Sequence, residues 1–130
     1  MTMNNPLAAV LSRMLNAVRL GKRQIATHLN SIGIRAVLDI LKEEGFIAGY
    51  ETTKDLKGDL LTITLAGRIN KTGVITPRFN VKSDAFVTFE KRYLPAKDFG
   101  VLILTTTKGI MTHKQAKEAN LGGRLIAYAY

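Results

Sequence analysis

Cysteine is absent from the chain, which excludes disulfides, thiolate nucleophiles and cysteine-ligated zinc. Histidine is nearly absent. His28 and His113 are too few and too far apart to suggest a metal site, and His113 reads as an exposed first-turn helix residue beside a basic loop. No apolar run approaches the roughly 18 residues that a membrane-spanning helix needs. Acid is scarce in two places. Residues 1–38 carry no Asp or Glu, and residues 67–130 have only Asp84, Glu90, Asp98 and Glu118. Asp39, Glu43 and Glu44 sit near one helix and read as a solvated face. No positioned nucleophile, base or carboxylate cluster emerges, so the sequence does not read as an enzyme. A phosphate-binding NTPase loop fails on order, since Lys108 precedes Gly109 where that motif puts lysine after glycine, and no glycine-rich dinucleotide fingerprint is present.

Basic charge is what the chain has in excess. Lys and Arg number 19 against 10 Asp and Glu, a formal charge of +9. Residues 1–66 hold 8 basic and 6 acidic residues (+2), whereas residues 67–130 hold 11 and 4 (+7). Such a field attracts polyanions. A basic surface kept for solubility is the simpler reading, but both halves look folded rather than tail-like, which favours a nucleic-acid surface. Apolar residues make up 46% of the chain, enough for a real core.

Periodicity divides the chain into an α+β arrangement of two small lobes, residues 1–66 and 67–130. In the first, Leu7, Val10, Leu11, Met14, Leu15 and Val18 form one helical stripe, with Asn5 as cap, Pro6 in the first turn and Gly21 as the stop. Ser12, Arg13, Asn16 and Arg19 fall outside the stripe and face solvent or RNA. A short strand around Ile25 follows. Then comes a second helix capped by Asn30-Ser31, with Ile34, Val37, Leu38 and Leu41 on one face and Gly45 at its end. Residues 46–53 read as a strand, and Leu61, Ile63 and Leu65 alternate with Thr62 and Thr64 in another. The order is α-β-α-β-β.

The second lobe reads as mainly β with short helices. Residues 74–81 look extended apart from Pro77. A helix is expected from Ser83, its cap, to Arg92, with Phe86, Phe89 and Tyr93 on a buried face; stacking of these rings and Phe79 on bases is the less ordinary alternative. Residues 100–105 form a strand, Thr112-His113-Lys114-Gln115 fits a capping box, Leu121-Gly122-Gly123 is a tight turn, and residues 124–130 are a final strand. Between strand and capped helix lies Thr105-Thr106-Thr107-Lys108-Gly109-Ile110-Met111. Hydroxyls, a cation and backbone amides at a glycine are groups that bind phosphate and sugar, although a polar strand-to-helix loop explains them equally. Gly122-Gly123-Arg124 offers close backbone approach beside a cation, or simply a β-turn.

The run from Gly100 to Met111, followed by Ala116-Lys117, resembles the signature of the universal small-subunit ribosomal protein S-eight family, called S-fifteen-a in the eukaryotic cytosol. Asn5-Pro6-Leu7 through Arg13, Asn16-Ala17, the run from Lys42 to Ile47, and Leu121-Gly122-Gly123 extend the likeness over essentially the whole chain. The resemblance implies a structural constituent of the ribosome, with two lobes in the order read above. It implies direct binding to the central domain of small-subunit ribosomal RNA, a role in RNA folding and subunit assembly, and neighbouring small-subunit ribosomal proteins as partners. In that family the Thr-Thr-x-Lys-Gly loop carries the main RNA contact. The match assigns this to Thr105, Thr106, Thr107, Lys108 and Gly109, with Gly122 and Gly123 nearby.

Arg124, Asn5, Arg13, Asn16, Lys22, Arg23 and Arg78 complete the candidate RNA contacts. Arg124 departs from bacterial members, which carry an acid there, and like the segments 67–71 and 73–79 it matches the cytosolic and archaeal type. Other segments look bacterial, and the blend favours a mitochondrial over a cytosolic ribosome. An acid-free, Arg-bearing N-terminus also fits a transit peptide, but the likeness begins at Asn5, so the first helix is expected to be mature structure. The reading calls for no cofactor, metal, membrane or small-molecule substrate. A free RNA-binding translational regulator would use the same surface and is separated only by copurification with subunits. An enzyme acting on nucleic acid would need a carboxylate cluster or metal site.

Overall fold

A computed structural model describes residues 6–28, 32–56, 58–66, 68–75, 80–82, 84–95 and 100–130, the side chain of Asp55 excepted. Asn5, Asn30-Ser31, Pro77, Arg78, Phe79, Ser83 and Asp98 lie outside these residues. The fold is mixed α+β, in the order α1 (Pro6–Arg19), β1 (Gln24–Thr27), α2 (Ile32–Glu43), β2 (Ile47–Asp55), β3 (Gly58–Leu65), β4 (Thr72–Val74), β5 (Asn80–Val81), α3 (Phe86–Tyr93), β6 (Val101–Thr106), β7 (Gly109–Thr112), α4 (His113–Glu118) and β8 (Gly123–Ala129). It divides into two compact units, 1–70 and 71–130. No helix among the described residues is long and apolar enough to cross a membrane.

In the first unit an antiparallel sheet in the order β1-β3-β2 carries two helices. Leu61, Ile63 and Leu65 are buried while Thr62 and Thr64 are half-buried, as strand alternation requires. Helix α1 buries Leu7, Val10, Leu11, Met14 and Ala17, leaving Leu15 and Val18 half-buried, so the buried strip is narrower than the apolar one. Helix α2 buries Ile34, Val37, Leu38 and Leu41, together with Ile40. Both helices stop by the same device. Amide bonds from Gly21 to the Val18 carbonyl and from Lys22 to that of Ala17 close α1, and Gly45 to Lys42 with Phe46 to Leu41 close α2. Each glycine takes the positive φ this motif demands, 75° and 83°.

The second unit is built on β8. Strands β4 and β5 pair with successive stretches of one side of it and β6 with the other, and β7 forms the edge beyond β6. Its core joins Ile75, Val81, Phe86, Leu94, Leu102, Leu104, Ala116 and Leu125, with Phe89 and Tyr93 half-buried against it. Helix α3 begins at Phe86 rather than Ser83, with Ala85 at the cap and no side-chain cap bond. The Ala85 amide bonds to the Lys82 carbonyl, so the chain turns there first, and the helix starts where its apolar face meets the core. The capping box at α4 is present: Thr112 Oγ1 accepts the Gln115 amide and Gln115 Oε1 accepts the Thr112 amide.

Candidate nucleic-acid interface

Residues 105–111 form a β-hairpin, not a strand-to-helix loop. Strand β6 runs to Thr106, Thr107 and Lys108 make the turn, and β7 returns with Gly109 opposite Thr106 and Ile110 opposite Thr105. The Thr106 hydroxyl organises that turn. It donates to the Gly109 carbonyl at 2.9 Å and accepts the Lys108 amide at 3.1 Å. Its bonding is therefore internal, whereas Thr107 and Lys108 are exposed at the tip.

Beside the hairpin's base, Gly123 brings β8 against β6. A Cβ on Gly123 would lie 2.2 Å from the Thr105 carbonyl oxygen and 3.0 Å from Leu104 Cδ1. Glycine is needed for this close approach, and Gly123 opens a strand rather than completing a tight turn. The result is an open groove of about 490 Å³ lined by Asn80, Val81 and Lys82 of the β5 segment, Thr105, Thr106 and Thr107, and Gly122, Gly123 and Arg124. Arg124 pairs with Thr105 on one side and Asn80 on the other, and its Nε donates to Asn80 Oδ1 at 3.3 Å. Among the described residues, none that lines the groove is a carboxylate.

Of the sequence candidates, Thr105, Thr106, Thr107, Gly122, Gly123 and Arg124 thus share one groove. Lys108 and Gly109 stand at the hairpin tip and do not line it. Asn80 and Lys82 were missed. In the structure these two polar residues flank buried Val81 and share one exposed face, which a two-residue strand does not disclose in the sequence.

The first unit gathers a second set. Arg13, Asn16 and Lys22 line a groove of about 440 Å³ between α1 and β1, in which Leu20 is 72% exposed. Arg13 Nη2 donates to the Ala26 carbonyl at 2.8 Å and so ties helix to strand. Arg23 is exposed but does not line this groove. Asn5 and Arg78 lie outside the described residues.

The expectation that His113 is exposed is wrong: it is 2% exposed. Its Nδ1 accepts the buried Leu102 amide of β6 at 3.1 Å, and its Nε2 lies 3.1 Å from Glu90 Oε1. Lys117 Nζ also donates to Glu90 Oε1. Burial pushes the His113 pKa below its ordinary value; the Glu90 carboxylate opposes this, while Lys117 and Lys114 add to it. The cluster links α3, α4 and β6.

Threonine hydroxyls, glycine-spaced backbone and Arg and Lys side chains, with no lining carboxylate among the described residues, are chemically suited to the sugar-phosphate surface of a nucleic acid. The chain belongs to the family described as ribosomal protein S8, whose model matches residues 5–130, nearly the whole chain. It is a ribosomal structural protein that binds ribosomal RNA, in a family that contacts RNA and other ribosomal proteins and is not enzymatic.

Proposed function

We propose that the chain is a small-subunit protein that binds the central domain of small-subunit ribosomal RNA directly, fixing its fold and helping the subunit assemble. The observation that carries this reading is the groove, free of carboxylates among the described residues, where three hydroxyls, two glycines and Arg124 meet. Contact is assigned to Thr105, Thr106, Thr107, Lys108, Gly109, Gly122, Gly123 and Arg124. Cations supply affinity by displacing condensed counterions, and the hairpin supplies register. The deep, narrow groove of an RNA duplex limits base readout, so a distorted helix or splayed base is the preferred target. Arg13, Asn16, Lys22 and Arg23 of the first unit, with Asn5 and Arg78, serve as further RNA contacts, and that nearly neutral lobe also faces neighbouring proteins.

The blend of bacterial-type and cytosolic-type motifs supports a mitochondrial ribosome. A tagged chain should co-sediment with small subunits of the mitochondrial fraction and cross-link to the central domain of their RNA. Association with cytosolic subunits alone would overturn the compartment. Cross-links confined to another RNA domain would overturn the binding site. A stable pool bound to messages and absent from subunits would favour the translational regulator.

A further inference from the structure

Strand β5 is only two residues long, yet it places Asn80 directly across from Arg124 in the antiparallel pair with β8. Both side chains are exposed and line the same groove, and the Arg124 Nε gives its hydrogen to Asn80 Oδ1. A guanidinium has five N–H donors. With Nε engaged, the four N–H groups on the two Nη atoms take no partner among the described residues, and they form the fork that matches two phosphate oxygens.

We infer that Asn80 is a positioning residue for Arg124, holding its guanidinium ready for a backbone phosphate of the bound RNA. This rests on the reading that the groove receives ribosomal RNA. A long arginine side chain loses rotamer freedom when it engages a ligand, and a partner that orders it beforehand reduces that loss. The partner is a carboxamide, which takes the hydrogen bond without a negative charge. Arg124 therefore keeps its full charge for the phosphate, whereas an aspartate at 80 would form an ion pair with it and compete.

The test is binding of the purified full chain to a central-domain transcript of small-subunit ribosomal RNA across a salt titration, with thermal melting as the folding control. Asn80→Ala should weaken binding about 3- to 10-fold, the range expected of one hydrogen bond. In an Arg124→Ala background the same change should do almost nothing. Asn80→Asp should weaken binding further and lower the salt slope by about one phosphate's worth. Unchanged affinity in Asn80→Ala, an equal loss in both backgrounds, or an unchanged salt slope in Asn80→Asp overturns the inference. Lys82→Ala, which removes another cation lining the groove, separates it from the reading beneath. If Lys82→Ala weakens binding while the Asn80 and Arg124 variants do not, this inference alone fails. If Lys82→Ala and Arg124→Ala both bind as the parent does, the groove reading fails with it.

Discussion

Gly123 approaches Thr105 so closely that a single added methyl would sit 2.2 Å from the Thr105 carbonyl oxygen. This contact sets the width of the groove, because Thr105 begins the hydroxyl row and Gly123 leads into Arg124. Gly123→Ala must therefore push β8 away from β6. Overpacking at a fixed backbone contact costs roughly 1–3 kcal/mol. Urea unfolding should show a loss of that size, together with weaker RNA binding. A variant of unchanged stability would mean that the two strands separate freely.

The buried His113 predicts a pH dependence of stability. Its folded pKa is held below the ordinary 6.5, so over the interval between the two values the unfolded chain binds more protons. The stabilisation is complete above 6.5 and is lost as pH falls toward the depressed value. Protonation of Nδ1 would also leave the buried Leu102 amide without its acceptor. Stability should fall more steeply below pH 6.5 in the parent than in His113→Asn, where Asn offers an uncharged acceptor at the same place. Equal slopes would contradict this. His113→Leu, which offers Leu102 no acceptor, should cost about 2 kcal/mol at neutral pH.

Hairpin threonines should not behave alike. The Thr106 hydroxyl both donates to Gly109 and accepts from Lys108, so Thr106→Val removes two bonds that shape the turn. From the sequence, this change is expected to harm specificity more than folding. The geometry assigns it a stability loss of about 1 kcal/mol, with looser amide protection at Lys108. Lys108→Ala should leave the melting temperature alone while lowering RNA affinity and the salt slope by about one phosphate's worth. If Thr106→Val melts like the parent, its hydroxyl is not structural.

The helical stripes of α1 and α2 and the alternation of β3 were legible because each of these elements buries one face, whereas β6 buries four consecutive residues and reads only as an apolar run. The capping box at Thr112 and Gln115 was legible because its chemistry is local. The hairpin was hidden for want of a turn signal. Thr107-Lys108 carries neither the Asn-Gly nor the Asp-Gly pair that marks two-residue turns, and Gly109 falls after the turn. His113 was misread because first-turn residues usually face water, and its partner Glu90 comes from another helix. In the groove, Thr105–Thr107 and the glycines stood out as motifs. Asn80 and Lys82 did not, because β5 is too short to show alternation and acquires its place only by pairing with β8.

The most direct test of the central claim is binding of the purified chain to a central-domain ribosomal RNA fragment and to an equal-length plain duplex, across a salt titration. Tight fragment binding that persists at salt concentrations abolishing duplex binding is the predicted result. Equal affinity for both, lost together as salt rises, would contradict a specific ribosomal site and leave only a general basic RNA binder.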